Sequence, residues 1–126
     1  MVKRAQSPTN DITENVLHLL GGGKVFPKPP QGALAAHHLI ERGIPSSAIV
    51  FLIDSMRTVV DPSALEAALG ISRRTIQRKS EAKEVLSPVQ SGRIWKFAEV
   101  LAKAIEVFGS LEEAERWLAP VLGYEP

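Results

Sequence analysis

The sequence predicts an all-α fold: a bundle of short helices with one long helix and a short helix near the end. Three observations carry that prediction. Apolar residues recur at three- and four-residue intervals along most of the chain. Glycine, proline and Ser/Thr/Asp capping residues fall where those patterns stop and restart. The stretch that reads at period two, 48–53, is matched better by the helical spacing around it. No internal repeat is evident.

Residues 1–9 are polar, and a flexible N-terminal arm is expected there. A helix follows from Asn10 or Asp11, with Asp11 or Thr13 as cap and Ile12, Val16, Leu17, Leu19 and Leu20 apolar. Gly21, Gly22 and Gly23 end it. Lys24 after three glycines invites comparison with a phosphate-binding loop, but that pattern fails twice. His18 stands where its first glycine belongs and Val25 where its hydroxyl belongs. Pro27, Pro29 and Pro30 make the next stretch an extended connector.

Residues 32–42 resume helical spacing, with Leu34, Ala35, Leu39 and Ile40 as core candidates. His37 and His38 are neighbours, so on a helix they diverge by about 100° and share a metal poorly. Gly43 stops this helix and Pro45-Ser46 opens the next, whose buried face is Ile49, Val50, Leu52, Ile53 and Met56. Val59-Val60 leads into residues 61–80, DPSALEAALGISRRTIQRKS.

This stretch reads as two short helices joined by a tight turn. Asp61 precedes Pro62 as a cap, and Ser63 with Glu66 offers an alternative capping box. Leu65 and Leu69 share one face. Gly70 can take the left-handed conformation that ends a helix, and Ile71 places an apolar side chain beneath the turn. Ser72 caps a second helix in which only Ile76 is strongly apolar. That is the construction of a helix-turn-helix whose second helix enters the DNA major groove. Arg73 and Arg74 lie in the turn that reaches base edges, where arginine bridges guanine O6 and N7; Gln77 suits adenine. Ser72, Thr75, Arg78 and Lys79 suit phosphates. On charge alone a merely solvated cationic face explains these residues equally well; the Leu-Gly-Ile-Ser turn between two capped helices favours DNA. Glu66 stands four residues before the turn glycine, where this motif ordinarily has a small residue, so the helix crossing is left open.

After the polar passage 81–87, Ser87 caps and Pro88 opens the longest helix, from about Pro88 to Phe108. Ile94, Ala98, Leu101, Ile105 and Phe108 mark one apolar stripe, and Phe97, Val100, Ala104 and Val107 an adjacent one. A helix this broadly apolar is either a central core helix or a subunit interface. Phe97, Val100, Leu101, Ala104 and Phe108 are the candidate dimer contacts. Gly109 ends the helix, and Ser110 with Glu113 forms a further capping box. In the last helix Ala114, Trp117 and Leu118 form the inner face, with Glu112, Glu115 and Arg116 outward.

Composition bounds the function. The 126 residues suit one domain with arms, and a hydrophobic content of 44% supports a core. There are no cysteines, which removes disulfides and thiolate metal sites and fits a reducing cytoplasm. No run approaches the length needed to cross a bilayer, and the first residues lack the apolar core of a signal peptide. The net charge is +1, but residues 61–96 hold seven basic and four acidic side chains, whereas residues 97–126 hold two and six. Two surfaces with different partners are expected. Glu112, Glu113 and Glu115 are explained by the helix macrodipole rather than by catalysis. No enzyme activity, cofactor or metal is expected.

ALGISRRTIQRK followed by LSPVQSGRIWKFAEVLAKAIEVFGSLEEAERWL resembles the Xre/MbcA/ParS family of antitoxins. The second segment is the more specific: Leu-Ser-Pro, Ser-x-Arg, a long helix ending Val-Phe-Gly, then an acidic turn to Ala-x-x-Trp-Leu. The likeness covers roughly 61–119, and LHLLGGGKVF is similar to the family's N-terminal region. The resemblance implies an Xre-like helix-turn-helix joined to a toxin-binding end. It implies a RES-domain toxin partner that consumes NAD, whose active site the antitoxin covers, and repression of a shared operon through operator DNA. Residues 10–84 would then be the DNA-binding region. Residues 85–126 would be the dimerisation helix and the start of a toxin-binding region, with Trp117, Leu118 and Tyr124 facing the toxin. In the family the Trp-Leu element is followed by a turn and further helices; here the sequence stops after Leu-Gly-Tyr-Glu-Pro, as in a truncated or short variant. A stand-alone repressor and a helical interaction module without DNA binding are the alternative readings.

Overall fold

The computed structural model describes residues 8–56 and 61–120. Among them are seven α-helices: α1 (Pro8–Leu19), α2 (Gly32–Arg42), α3 (Ser46–Ser55), α4 (Pro62–Leu69), α5 (Arg73–Glu81), α6 (Pro88–Phe108) and α7 (Leu111–Leu118). A 3-10 turn, Gly22–Lys24, follows α1. The all-helical class expected from the sequence holds, and no extended strand occurs among the described residues. The Val59-Val60 stretch, the first seven residues and Tyr124 lie outside them.

α6 is the shaft of the bundle. Its start is set by a complete capping box, in which Ser87 Oγ accepts the Gln90 N–H at 3.1 Å and the Gln90 side chain accepts the Ser87 N–H at 3.2 Å. Gly109, in the left-handed conformation, ends it. α1, α2, α4 and α7 all pack on α6, and α3 packs on α5. Ile94, Ala98 and Leu101 are fully buried in the resulting core, with Val16 and Leu20 from the α1 region, Ile49, Leu52 and Met56 from the α3 region, and Leu65 and Leu69 from α4. Burying large aliphatic side chains in this way stabilises the fold by about 1.5–3 kcal/mol each.

Two connectors that are distant in sequence are pinned side by side. The Leu86 N–H donates to the Ile44 carbonyl at 2.8 Å, and the Ser46 N–H and hydroxyl both donate to the Glu84 carbonyl, at 3.1 and 2.7 Å. Pro45 and Val85 form an isolated antiparallel bridge within this seam. Gly43, with φ +102°, sits where a Cβ would collide with the Leu86 carbonyl oxygen and the Val85 side chain. The seam joins the α2–α3 corner to the entrance of α6.

Several expectations are corrected. α1 begins at Pro8 rather than Asn10, and Thr13 is buried inside the helix instead of capping it. Leu34 is 69% exposed, because Ala36 and Leu39 take the inner face of α2 and Leu34 lies on the far side. The three glycines lead into the 3-10 turn, with Phe26 buried after it, so they do more than stop a helix. In α7 the inner face is Ala114, Glu115 and Leu118, while Trp117 is 46% exposed. Trp117 instead meets Phe108 ring to ring, with centroids 5.7 Å apart. The Glu113 side chain pairs with Arg116 at 3.5 Å, so Ser110 caps α7 through the Glu113 N–H alone among the described contacts.

Candidate nucleic-acid interface

The site is built from α4, a three-residue turn and α5. Asp61 occupies the cap position of α4 without a side-chain capping bond, and Pro62 opens the helix. The alternative Ser63–Glu66 box does not form, because Ser63 already lies inside the helix and the Glu66 carboxylate is engaged elsewhere. Gly70 takes φ +72°, and the Gly70 and Ile71 N–H groups both donate to the Glu66 carbonyl, at 2.9 and 3.3 Å. Ile71 is buried beneath the turn. From α6 the Arg93 guanidinium lies across Gly70, occupying the place a Cβ would take.

The N-terminus of α5 is held twice. Ser72 Oγ accepts the Thr75 N–H at 3.1 Å, and Glu66 Oε1 accepts the Arg73 N–H at 2.9 Å. Glu66 Oε2 also lies 3.5 Å from Arg73 Nε. These acceptors satisfy amides that an α-helix leaves open at its start, and the carboxylate lies at the favourable end of the dipole. The residue whose presence left the helix crossing open is thus a tie between the two helices.

Ile76 is the one buried residue of α5, and it anchors the helix. At about 100° per residue, Arg73, Gln77, Arg74 and Arg78 fall within one continuous arc of about 140°, centred about 130° from Ile76. All four are exposed. Arg74 and Arg78 have no ionic partner among the described residues. Gln77 Nε2 donates to Glu81 at 3.4 Å, and Thr75 is half-buried against Ser72. Lys79 differs from the expectation. Its side chain is only 21% exposed and its ammonium lies 3.6 Å from Glu84, so its charge is largely spent within the chain. Beside the arc, Val50 and Ile53 of α3 with Arg73 and Gln77 of α5 line a cleft of about 310 Å³.

Two residues that the sequence reading did not assign to this site belong to it, Glu66 and Arg93. Glu66 was visible as an unusual residue at its position. Arg93 was visible as part of the Ser-x-Arg pattern, but its place over Gly70 depends on how α6 packs.

The second candidate surface is on α6 and α7. Phe97 is half-buried, Val100 is 38% and Phe108 43% exposed, and Val107 beside them is 75% exposed. Leu101 and Ala104 are consumed by the chain's own core, so neither is available to a partner. Leu118 is likewise buried, leaving Trp117 as the accessible aromatic of α7. His37 and His38 both face Glu41, at 3.4 and 3.5 Å, and are exposed. No group of three potential metal ligands occurs among the described residues, and none of their helices is long and apolar enough to cross a membrane.

No curated protein and no solved structure matches the chain. A family model does: the antitoxin Xre-like helix-turn-helix domain, over residues 35–99. That span runs from the first turn of α2 to the middle of α6 and contains the α4–turn–α5 unit with both of its ties, Glu66 and Arg93. The chain therefore belongs to the antitoxin Xre-like helix-turn-helix family.

Proposed function

We propose that this Xre-type antitoxin binds and neutralises a RES-domain, NAD-consuming toxin and represses its own operon by placing α5 in the major groove of operator DNA. The observation that carries the DNA half is the exposed arc of Arg73, Arg74, Gln77 and Arg78 on a helix whose one buried residue is Ile76. Arg73 and Arg74 read base edges, Gln77 reads an adjacent base, and Ser72, Thr75 and Arg78 hold backbone. Lys79 has the smaller part, because Glu84 holds its charge.

The toxin half is supported by the resemblance of 86–118 and by the acidic, tryptophan-bearing end of the chain. Residues 10–84 serve DNA and residues 85–126 serve dimerisation and the toxin, within one cytoplasmic complex. Phe97, Val100 and Phe108 form the homodimer contact, and Trp117 with Tyr124 meets the toxin.

The deciding experiment is co-purification of the chain with the product of the adjacent gene, followed by operator binding with and without it. A stable complex that suppresses NAD loss in cells is expected. Operator binding that is indifferent to every neighbouring gene product would replace this reading with that of a stand-alone repressor.

A further inference from the structure

The Glu66 carboxylate touches Arg73 at two points, its backbone N–H at 2.9 Å and its side-chain Nε at 3.5 Å. One acid thus grips both ends of a single residue. The main-chain contact fixes where α5 begins relative to α4. The side-chain contact fixes the direction in which Arg73 leaves the helix. A guanidinium offers two forks for bidentate bonding, one through Nε and one through its two terminal nitrogens. With Nε turned to Glu66, the terminal Nη fork is the one left for a ligand. The Arg73 side chain remains 66% exposed and has no other ionic partner among the described residues. The geometry is costly for indiscriminate binding, since a carboxylate beside the groove repels every phosphate equally. In binding DNA that repulsion is offset only where the fixed arginine meets particular bases.

We infer that Glu66 is a specificity-determining positioning residue: it holds Arg73 so that the Nη fork meets guanine O6 and N7, and it penalises DNA that offers no guanine there. This rests on the DNA-reading role proposed for α5. Were the contact only a helix cap, an amide at position 66 would serve as well. Were it only an exposed ion pair, its removal would change little.

The test uses the full chain. A preferred DNA sequence is first obtained by binding selection from a random duplex library. Wild type, Glu66→Gln, Glu66→Ala, Arg73→Ala and the Glu66→Gln/Arg73→Ala double variant are then compared on that sequence and on unrelated duplex. Glu66→Gln keeps an acceptor for the Arg73 N–H but loses the charge that holds Nε, and matching melting curves show that it folds like wild type. The expected result is tighter binding to unrelated duplex and a specific-to-non-specific ratio lower by about tenfold or more. Arg73→Ala should lower the ratio similarly, with little further loss in the double variant. Replacing one guanine of the selected site with 7-deazaguanine should weaken wild type and leave Glu66→Gln unchanged. If Glu66→Gln raises both affinities equally and keeps the ratio, the positioning role is overturned while DNA reading stands. If wild type selects no sequence at all, both fall.

Discussion

Ser91 of α6 accepts a hydrogen bond from the Ile44 N–H at 2.8 Å, across 47 residues of sequence and with both partners buried. The same hydroxyl lies 3.5 Å from the Leu86 carbonyl, to which it donates. One small side chain therefore closes the seam between the α2–α3 corner and the start of α6. Ser91→Ala leaves the buried Ile44 N–H without its acceptor. A loss of about 1–3 kcal/mol in urea unfolding is expected, with the helical content of the folded state unchanged.

Gly70 meets two demands at once, a left-handed backbone and the close passage of Arg93. Gly70→Ala satisfies neither, so a destabilisation of about 1 kcal/mol or more is expected. Adding Arg93→Ala removes the collision and leaves the backbone cost. Partial recovery in the double variant, measured by the same unfolding curves, would establish the contact; strict additivity would argue against it.

Arg74 and Arg78 are the cations of α5 without an ionic partner among the described residues. Replacing the one that contacts a base with alanine should cost about 1–3 kcal/mol on the selected sequence, and replacing one that contacts phosphate should lower the salt slope by about one. Lys79→Ala should do less to DNA binding than either. Fluorescence anisotropy across a salt series reads all three.

Phe108 and Leu101 lie on one stripe of α6 but should answer substitution differently. Phe108 is 43% exposed and Leu101 fully buried. Leu101→Glu places an unpaired charge in the core and should unfold the chain, an effect of several kcal/mol. Phe108→Glu should cost only the Trp117 ring contact, about 0.5–1.5 kcal/mol, and dissociate a dimer, as read by light scattering. A wild-type chain that is monomeric at high concentration would remove the proposed dimer contact.

Local chemistry in the sequence was enough to locate most helix ends. Ser87-Pro88, Gly70, Ser72 and Gly109 act where their capping and conformational preferences place them, and α6 spans Pro88–Phe108 as the spacing predicts. What escaped depends on contacts that periodicity does not encode. The Ile44–Leu86 seam is backbone pairing between distant segments and leaves no repeating pattern. Glu115 and Trp117 exchange their expected sides because the inner arc of α7 is set by its packing on α6. The residue types of the candidate DNA surface were legible, but not their pairing. Glu84 reaches Lys79 only once the chain beyond α5 turns back, and Glu66 reaches Arg73 only across the α4–α5 corner.

The packing of α1 on α6 separates the span that carries the helix-turn-helix from what folds. Residues 35–99, the stretch matched by the family model, exclude α1, the last two turns or more of α6 and all of α7. Expressed alone, that stretch would leave α6 without α1 and α7, two of the four helices that pack on it. Engineers wishing to move this helix-turn-helix into another protein would have to carry α1, the whole of α6 and α7 with it. Swapping only the α5 surface, on the intact chain, is the more workable route to a new binding sequence.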